Sequence, residues 1–244
     1  PLNPNITSEI KFINKGTHTR YGERLSSVID ISSKSTMSKT VKSQFGFNGI
    51  NVDALIEVPV VEDKLNIIGS FRRSYDDALK TFTFNQLTDK VFEGTKINKS
   101  DNGNNMFSFF DYSVKLNFKP NKNNSLYASI ISIDNQLDYT LGDSENNRKL
   151  NDKLVTSNMG YGLGWRMKWN EKTTQNTNAF FSDYKLNYNF ITVEGDTQIS
   201  DFEKRNTIFD SGFSSEVTID RSKATQITFG YQYALKDVAF AFLN

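Results

Sequence analysis

Val155-Thr156-Ser157-Asn158-Met159-Gly160-Tyr161-Gly162-Leu163-Gly164-Trp165-Arg166-Met167-Lys168-Trp169 alternates large apolar and small or polar residues with period two. Val155, Met159, Tyr161, Leu163, Trp165, Met167 and Trp169 share one face. Thr156, Asn158, Gly160, Gly162, Gly164, Arg166 and Lys168 share the other. A helix would mix the two sets, so the stretch is a strand with one apolar face. The same split sets Phe110, Tyr112, Val114, Leu116 and Phe118 against Asp111, Ser113, Lys115, Asn117 and Lys119. It sets Phe180, Tyr184, Leu186, Tyr188 and Phe190 against Asp183, Lys185, Asn187 and Asn189. Residues 209–219 and 227–235 repeat it, and 46–58, 65–75 and 127–141 carry weaker versions. The chain therefore reads as all-β, with about eight strands. Most are about 11 to 16 residues long, against roughly five or six in soluble sheets.

Only 37% of the residues are hydrophobic and the mean hydropathy is −0.52, which excludes helices that cross a membrane. Two all-β architectures tolerate such polarity: a soluble β-sandwich, and a transmembrane barrel that shows lipid every second side chain. The connections favour the barrel, because short and long ones alternate. Residues 59–63, 120–124, 170–173 and 220–223 are tight and polar, whereas 76–105, 142–152 and 195–201 are longer. Aromatic residues near strand ends, such as Trp165, Trp169 and Tyr139, suit girdles at the lipid interfaces. With 29 basic and 28 acidic residues there is no single-sign field to draw a nucleic acid. The absence of cysteine removes disulfides and thiolate metal sites. The start at Pro1, without Met or an apolar leader, reads as a processing or truncation point.

Residues 1–39 lack this alternation and contain Tyr21-Gly22-Glu23-Arg24-Leu25-Ser26-Ser27-Val28-Ile29-Asp30-Ile31. That run resembles the end of the plug domain of TonB-dependent outer-membrane receptors, usually Tyr/Phe-Gly-Gly-Arg-Leu-Ser-Ser/Gly-Val-Ile/Leu-Asp-Ile, with Glu23 replacing the second glycine. Phe45-Gly46-Phe47-Asn48-Gly49-Ile50-Asn51 is similar to that family's first barrel strand, and Leu55-Ile56-Glu57-Val58-Pro59-Val60 to its Leu-Glu-Gly-Pro-Ile element. The run from Asp63 to Asp76, with Arg72-Arg73-Ser74-Tyr75, resembles its second strand. The nearest branch is the Bacteroidetes type, which carries a carboxypeptidase-regulatory-like module before the plug. The resemblance implies that residues 1–39 are the C-terminal part of a plug and 40–244 the N-terminal portion of the barrel. The barrel would have about 22 strands, about fourteen of them outside this chain. It further implies a place in the outer membrane of a Gram-negative bacterium, in contact with lipid. A TonB-type energy-transducing protein would act through the missing N-terminal region, with a surface lipoprotein as an additional partner. The ligand would be bulky and scarce: a siderophore, a glycan or a peptide.

Little in the residues points to catalysis. His18 is the sole histidine, and no Gly-x-Ser-x-Gly elbow accompanies it, so no catalytic residue, no metal site and no cofactor is expected. Gly160, Gly162 and Gly164 alternate along a strand and are expected to leave room for the plug. Asp53, Glu57 and Arg72 are expected on the inner face, with Arg20 or Arg24 pairing with Glu57 to hold plug and barrel together reversibly. Phe82, Phe84 and Phe92 in the longest loop are the expected ligand contacts. The competing readings are a soluble carbohydrate-binding β-sandwich and a small closed outer-membrane barrel with a structural or enzymatic role.

Overall fold

Alternating β-branched or aromatic and polar residues favour extended backbone, and here they build strands almost throughout. The computed structural model describes residues 3–14, 19–22, 27–75, 81–83, 86, 106–143, 148–195 and 197–243. Within them lie β1 (Thr7–Ile13), β2 (Val28–Ser33), β3 (Lys42–Phe47), β4 (Asn51–Val61), β5 (Leu65–Ser74) and β6 (Met106–Asn121). Then follow β7 (Asn124–Asp143), β8 (Arg148–Asn170), β9 (Thr173–Glu194), β10 (Thr197–Ser222) and β11 (Thr225–Leu243). β1 and β2 pair separately, while β3 to β11 form one nine-stranded antiparallel sheet in chain order. The sheet is open, with β3 and β11 as its edges.

The sheet has nine strands rather than eight because residues 46–58 are not one strand. Asn48 breaks the run: its side-chain oxygen accepts from the backbone N–H of Ile50 at 2.9 Å and of Asn51 at 3.0 Å, closing a turn between β3 and β4. The strands also run longer than expected, with 23 residues in β8, 22 in β9 and 26 in β10. They absorb most of two connections that read as loops. Asp143 pairs with Arg148, and Glu194 with Thr197 across a turn in which Gly195 takes φ 61°. Polar residues at these ends still satisfy the ladder, so polarity alone did not mark a loop. The four tight turns after β4, β6, β8 and β10 lie at one end of the sheet, as consecutive antiparallel pairing requires.

Cross-strand register decides which side chains share a face. The described residues between 3 and 38 lie over one face of the sheet, and the side chains buried beneath them are mostly polar. Glu57, Asn66, Ser70, Arg72, Asp111, Ser113, Lys115 and Asn117 are all buried there. The other face is apolar and uncovered: Ile56 is 46% exposed, Val114 44%, Leu163 59% and Phe229 57%. That inverts the distribution of a domain folded in water, where the apolar face is the buried one. The apolar phase also changes along the longer strands. Toward the tight-turn end the apolar side chains are on the uncovered face, as in Tyr161–Phe181 and Phe213–Tyr231 contacts. Toward the other end they move to the covered face, where Leu154 pairs with Tyr188 and Asp152 with Phe190. In β9 this corrects the sequence reading. Phe180, Tyr184, Leu186, Tyr188 and Phe190 do share a face, but it is the covered one, because Phe181 is the residue opposite Tyr161.

The alternating glycines of β8 have a different use from the one expected. A Cβ on Gly164 would overlap the Tyr127 ring, which crosses that glycine to bring its hydroxyl 3.2 Å from Asn178 Oδ1. Gly160 is similarly filled by Ile131, and Gly212 in β10 by Phe180. The space over these glycines is taken by side chains of neighbouring strands, an aromatic-over-glycine arrangement that fixes register. Gly164→Val is expected to cost about 1–3 kcal/mol through overpacking, and Tyr127→Ala in the same background to recover most of it. Urea unfolding measures both, and an unchanged midpoint for Gly164→Val would refute the packing.

Candidate functional site

The N-terminal segment meets the covered face through two unlike sets of contacts. Over β4–β6 the fit is close. Asn3 is fully buried, and its amide donates to the carbonyl of Phe71 at 3.1 Å, while its backbone bonds to Asp111. Pro4–Ile6 form a 3-10 turn capped by the Asn3 side chain, which accepts from the N–H of Asn5. This turn aims Ile6 at Leu55 and Ile68, the one apolar cluster fully buried among the described residues. The amide of Asn5 bonds to Asp53, and Gln44 donates to Asn5 at 3.1 Å. Lys34 lies 3.9 Å from Glu57. Lys115 extends from β6 to donate to the hydroxyls of Ser33 at 2.8 Å and Ser35 at 2.7 Å.

Beside these contacts sits a buried ion pair within the sheet. Arg72 donates through Nε and a terminal nitrogen to Oδ2 of Asp111 at 2.8 and 2.6 Å, and its guanidinium stacks on Phe109 with 4.9 Å to the ring centre. A charge pair so removed from water is held by these added bonds and by the ring, since the Coulomb attraction alone barely offsets desolvation.

Arg20 donates to Glu216 of β10 at 3.1 Å, with half of the Arg20 side chain exposed. Between this pair and the β6–β7 side lies a cleft of about 670 Å³, lined by Tyr21, Ser35, Tyr127, Asn178, Ser214 and Gln232 among others. Tyr21, in the 3-10 turn Thr19–Tyr21, is anchored by a 2.6 Å bond from its hydroxyl to Asp30 of β2. That bond holds the Tyr21 phenol above its ordinary pKa, because ionisation would place two anions together.

Farther from the tight turns, the covered face becomes aromatic. Phe202 contacts Tyr188 and Phe242 with ring centres 6.4 and 5.6 Å apart, and Lys204 lies 5.2 Å from the ring of Phe240. Tyr139 and Tyr188 both bond to the buried carboxylate of Asp152. Among the described residues no group of three or more His, Asp or Glu side chains converges as a metal site would need.

The expected site residues are distributed as follows. Asp53, Glu57 and Arg72 share the covered face, as their register rows require. The cation beside Glu57 is Lys34, and Arg20 meets Glu216; Arg24 lies outside the described residues. Phe82 is 78% exposed, whereas Phe84, Phe92 and His18 lie outside the described residues. Sequence reading missed Lys115, Asp111 and the aromatic rows of β9–β11 as site residues. Asp111 and Lys115 were already visible as polar members of an alternating strand, but their partners depend on register. No protein-family model matches the chain, and no curated protein matches it.

Arg72→Ala leaves Asp111, 2% exposed, as an uncompensated buried charge. The expected loss is about 3–5 kcal/mol, against a much smaller one for Arg72→Met combined with Asp111→Leu. Equilibrium unfolding of the three proteins tests this; a single-variant loss below about 1 kcal/mol would mean the pair behaves as a solvated one.

Proposed function

We propose that this chain is the plug end and first wall strands of a TonB-dependent outer-membrane receptor, which binds a bulky ligand outside the cell and imports it. The observation that carries the reading is the inverted sheet: a bare apolar face backed by a polar face that over β4–β6 is sheltered under the described N-terminal residues. Lipid is the solvent in which that arrangement is stable, because it removes the apolar side chains from water without any further protein layer. The size of the band agrees. From Ile227 to Leu235 the uncovered apolar residues of β11 rise roughly 27 Å along the strand, or about 21 Å of height at a tilt near 40°, close to the ~25 Å belt of such barrels. Beyond the band the uncovered face turns polar, with Asn187, Arg205 and Glu203 in adjacent register rows, as strands projecting into water require.

Two further features support the receptor rather than a small barrel. The motif run Tyr21 to Ile31 is the part of the N-terminal segment that carries Tyr21, Asp30 and β2, beside the cleft. An open sheet of nine strands with unequal edges suits a wider wall better than a barrel of this chain alone. In this reading residues 1–39 belong to the plug and 40–244 to the wall. The energy-transducing protein pulls through a region preceding this chain, and a surface lipoprotein caps the outer end. The aromatic rows around Phe202, Tyr188 and Phe242, with Asp152 and Lys204, are the ligand-facing surface; they suit a glycan, siderophore or peptide through stacking and hydrogen bonds. The protein holds and passes its ligand without transforming it.

The two tryptophans, Trp165 and Trp169, are 41% and 59% exposed near the tight turns, at the edge of the apolar band. In vesicles containing brominated phospholipids their fluorescence is expected to be strongly quenched, most by bromines near the headgroups. A chain that stays monomeric in plain buffer and shows no quenching would overturn the membrane reading in favour of a soluble sandwich.

A further inference from the structure

Each tight turn carries a lysine among its few turn residues: Lys64 after β4, Lys122 after β6, Lys172 after β8 and Lys223 after β10. All four residues are exposed, and none forms an ion pair with a described residue. The neighbouring carboxylates are mostly engaged: Glu62 and Asp63 lie 3.8 and 3.5 Å from Lys39, and Asp220 accepts from Gln226 at 2.7 Å, which leaves Glu171. Among the described residues the turns at the opposite end, 48–50 and 195, carry no cation. Near that end Arg148 is paired with Glu194 at 3.2 Å and Arg205 with Glu203 at 2.7 Å. Consecutive tight turns sit about 10 Å apart along the rim, two strand spacings, so the lysines form a spaced row rather than a cluster. Like charges at such a distance are largely screened from one another in salt, and the row costs little until an anionic surface meets all of it.

The tryptophans set this row against a layer. Trp165 and Trp169 stand on the uncovered face of β8, and their indole N–H groups are held by polar residues beside the turns, Asn124 at 2.9 Å and Gln175 at 3.0 Å. Toward the middle of the strand Leu163 and Tyr161 continue the exposed apolar face, and past the tryptophans comes the turn with Lys172. Apolar, amphipathic and cationic side chains thus follow one another in the order of hydrocarbon, interface and headgroup in a lipid leaflet. A lysine suits the last position, because its stem covers apolar surface while the ammonium stays wet. We propose that the tight-turn end docks on anionic phospholipid headgroups, one lysine per turn meeting the phosphate layer, and gathers such lipids around it. The bilayer itself is taken from the receptor reading; the preference between lipids is what the turns add. A zwitterionic headgroup offers the tryptophans the same depth without net charge, so charge is what separates the two classes of lipid.

The test uses the full-length protein in phosphatidylcholine vesicles in which a minor fraction of the lipid is brominated phosphatidylglycerol or, in a parallel set, brominated phosphatidylcholine. The signal of Trp165 and Trp169 is the difference from protein carrying Trp165→Phe and Trp169→Phe. Their quenching is expected to be about twofold stronger with the anionic bromolipid at low salt, and the excess to vanish at high salt, where the charges are screened. Lys64→Gln, Lys122→Gln, Lys172→Gln and Lys223→Gln combined are expected to remove the excess and leave quenching by the zwitterionic bromolipid unchanged. All four positions are exposed, so these substitutions leave the fold in place. Equal quenching by the two lipids overturns the docking, keeps the membrane reading and leaves the lysines to solvent or to an acidic protein. An excess that survives high salt or the four substitutions also overturns it, since the lysines are then not its source. Absence of quenching by either lipid overturns the membrane reading, and the docking with it.

Discussion

The sheet depends on register. Each strand alternates its side chains between faces, so a slip of one residue between any two neighbours would carry an apolar set to the polar side and the reverse. From Ser70 the row runs through Ser113, Ile131, Gly160, Ser182 and Asp210 to Lys236 without interruption. The register irregularities fall near strand ends, such as Asp220/Ser222 and Lys168/Asn170, where they cannot shift the rows between. Tyr127 over Gly164 and Phe180 over Gly212 act as pins in this lattice, because each ring fits only where the opposite residue has no side chain.

Much of this was legible in the sequence. Strands with a single phase, such as Phe110 to Phe118, announced both their existence and their faces. The parts the alternation does not show are those that lie beyond a change of apolar phase. In β11, Leu235 closes the set on the uncovered face and Val238 opens one on the covered face, with Lys236 and Asp237 between. Period-two analysis over a window spanning that change sees weak alternation, although each half is strong. In β9 the adjacent pair Phe180 and Phe181 hides the change entirely, since either could lead the apolar set; only the neighbour Tyr161 decides. The ion pairs were less legible still. Arg72 lies 39 residues from Asp111, and Glu57 has Lys34 beside it, because which charges become neighbours depends on the path of the N-terminal segment over the face.

Charge and apolarity divide the work between the two faces. On the uncovered face apolar side chains need no specific partner, so Phe45 stands 82% exposed, and Phe47 is still 75% exposed with its ring stacked on Tyr75. On the covered face buried polar groups are joined by short polar links, serine to serine, lysine to two serines, arginine to aspartate, although Asn66 Nδ2, Asn206 Oδ1 and Asp210 Oδ1 are buried without a partner. Such links are directional and individually modest, and together they hold the described N-terminal residues against the sheet.

The open sheet also has a direction. Its edge β3 is six residues long and its edge β11 nineteen. A strand added beside β11 can form roughly three times as many ladder bonds as one added beside β3, by length alone. As a template for pairing the described sheet is therefore polarised: its β11 side offers a long ladder and its β3 side a blunt end. The same nineteen residues are the part of the sheet most open to mispairing with another strand.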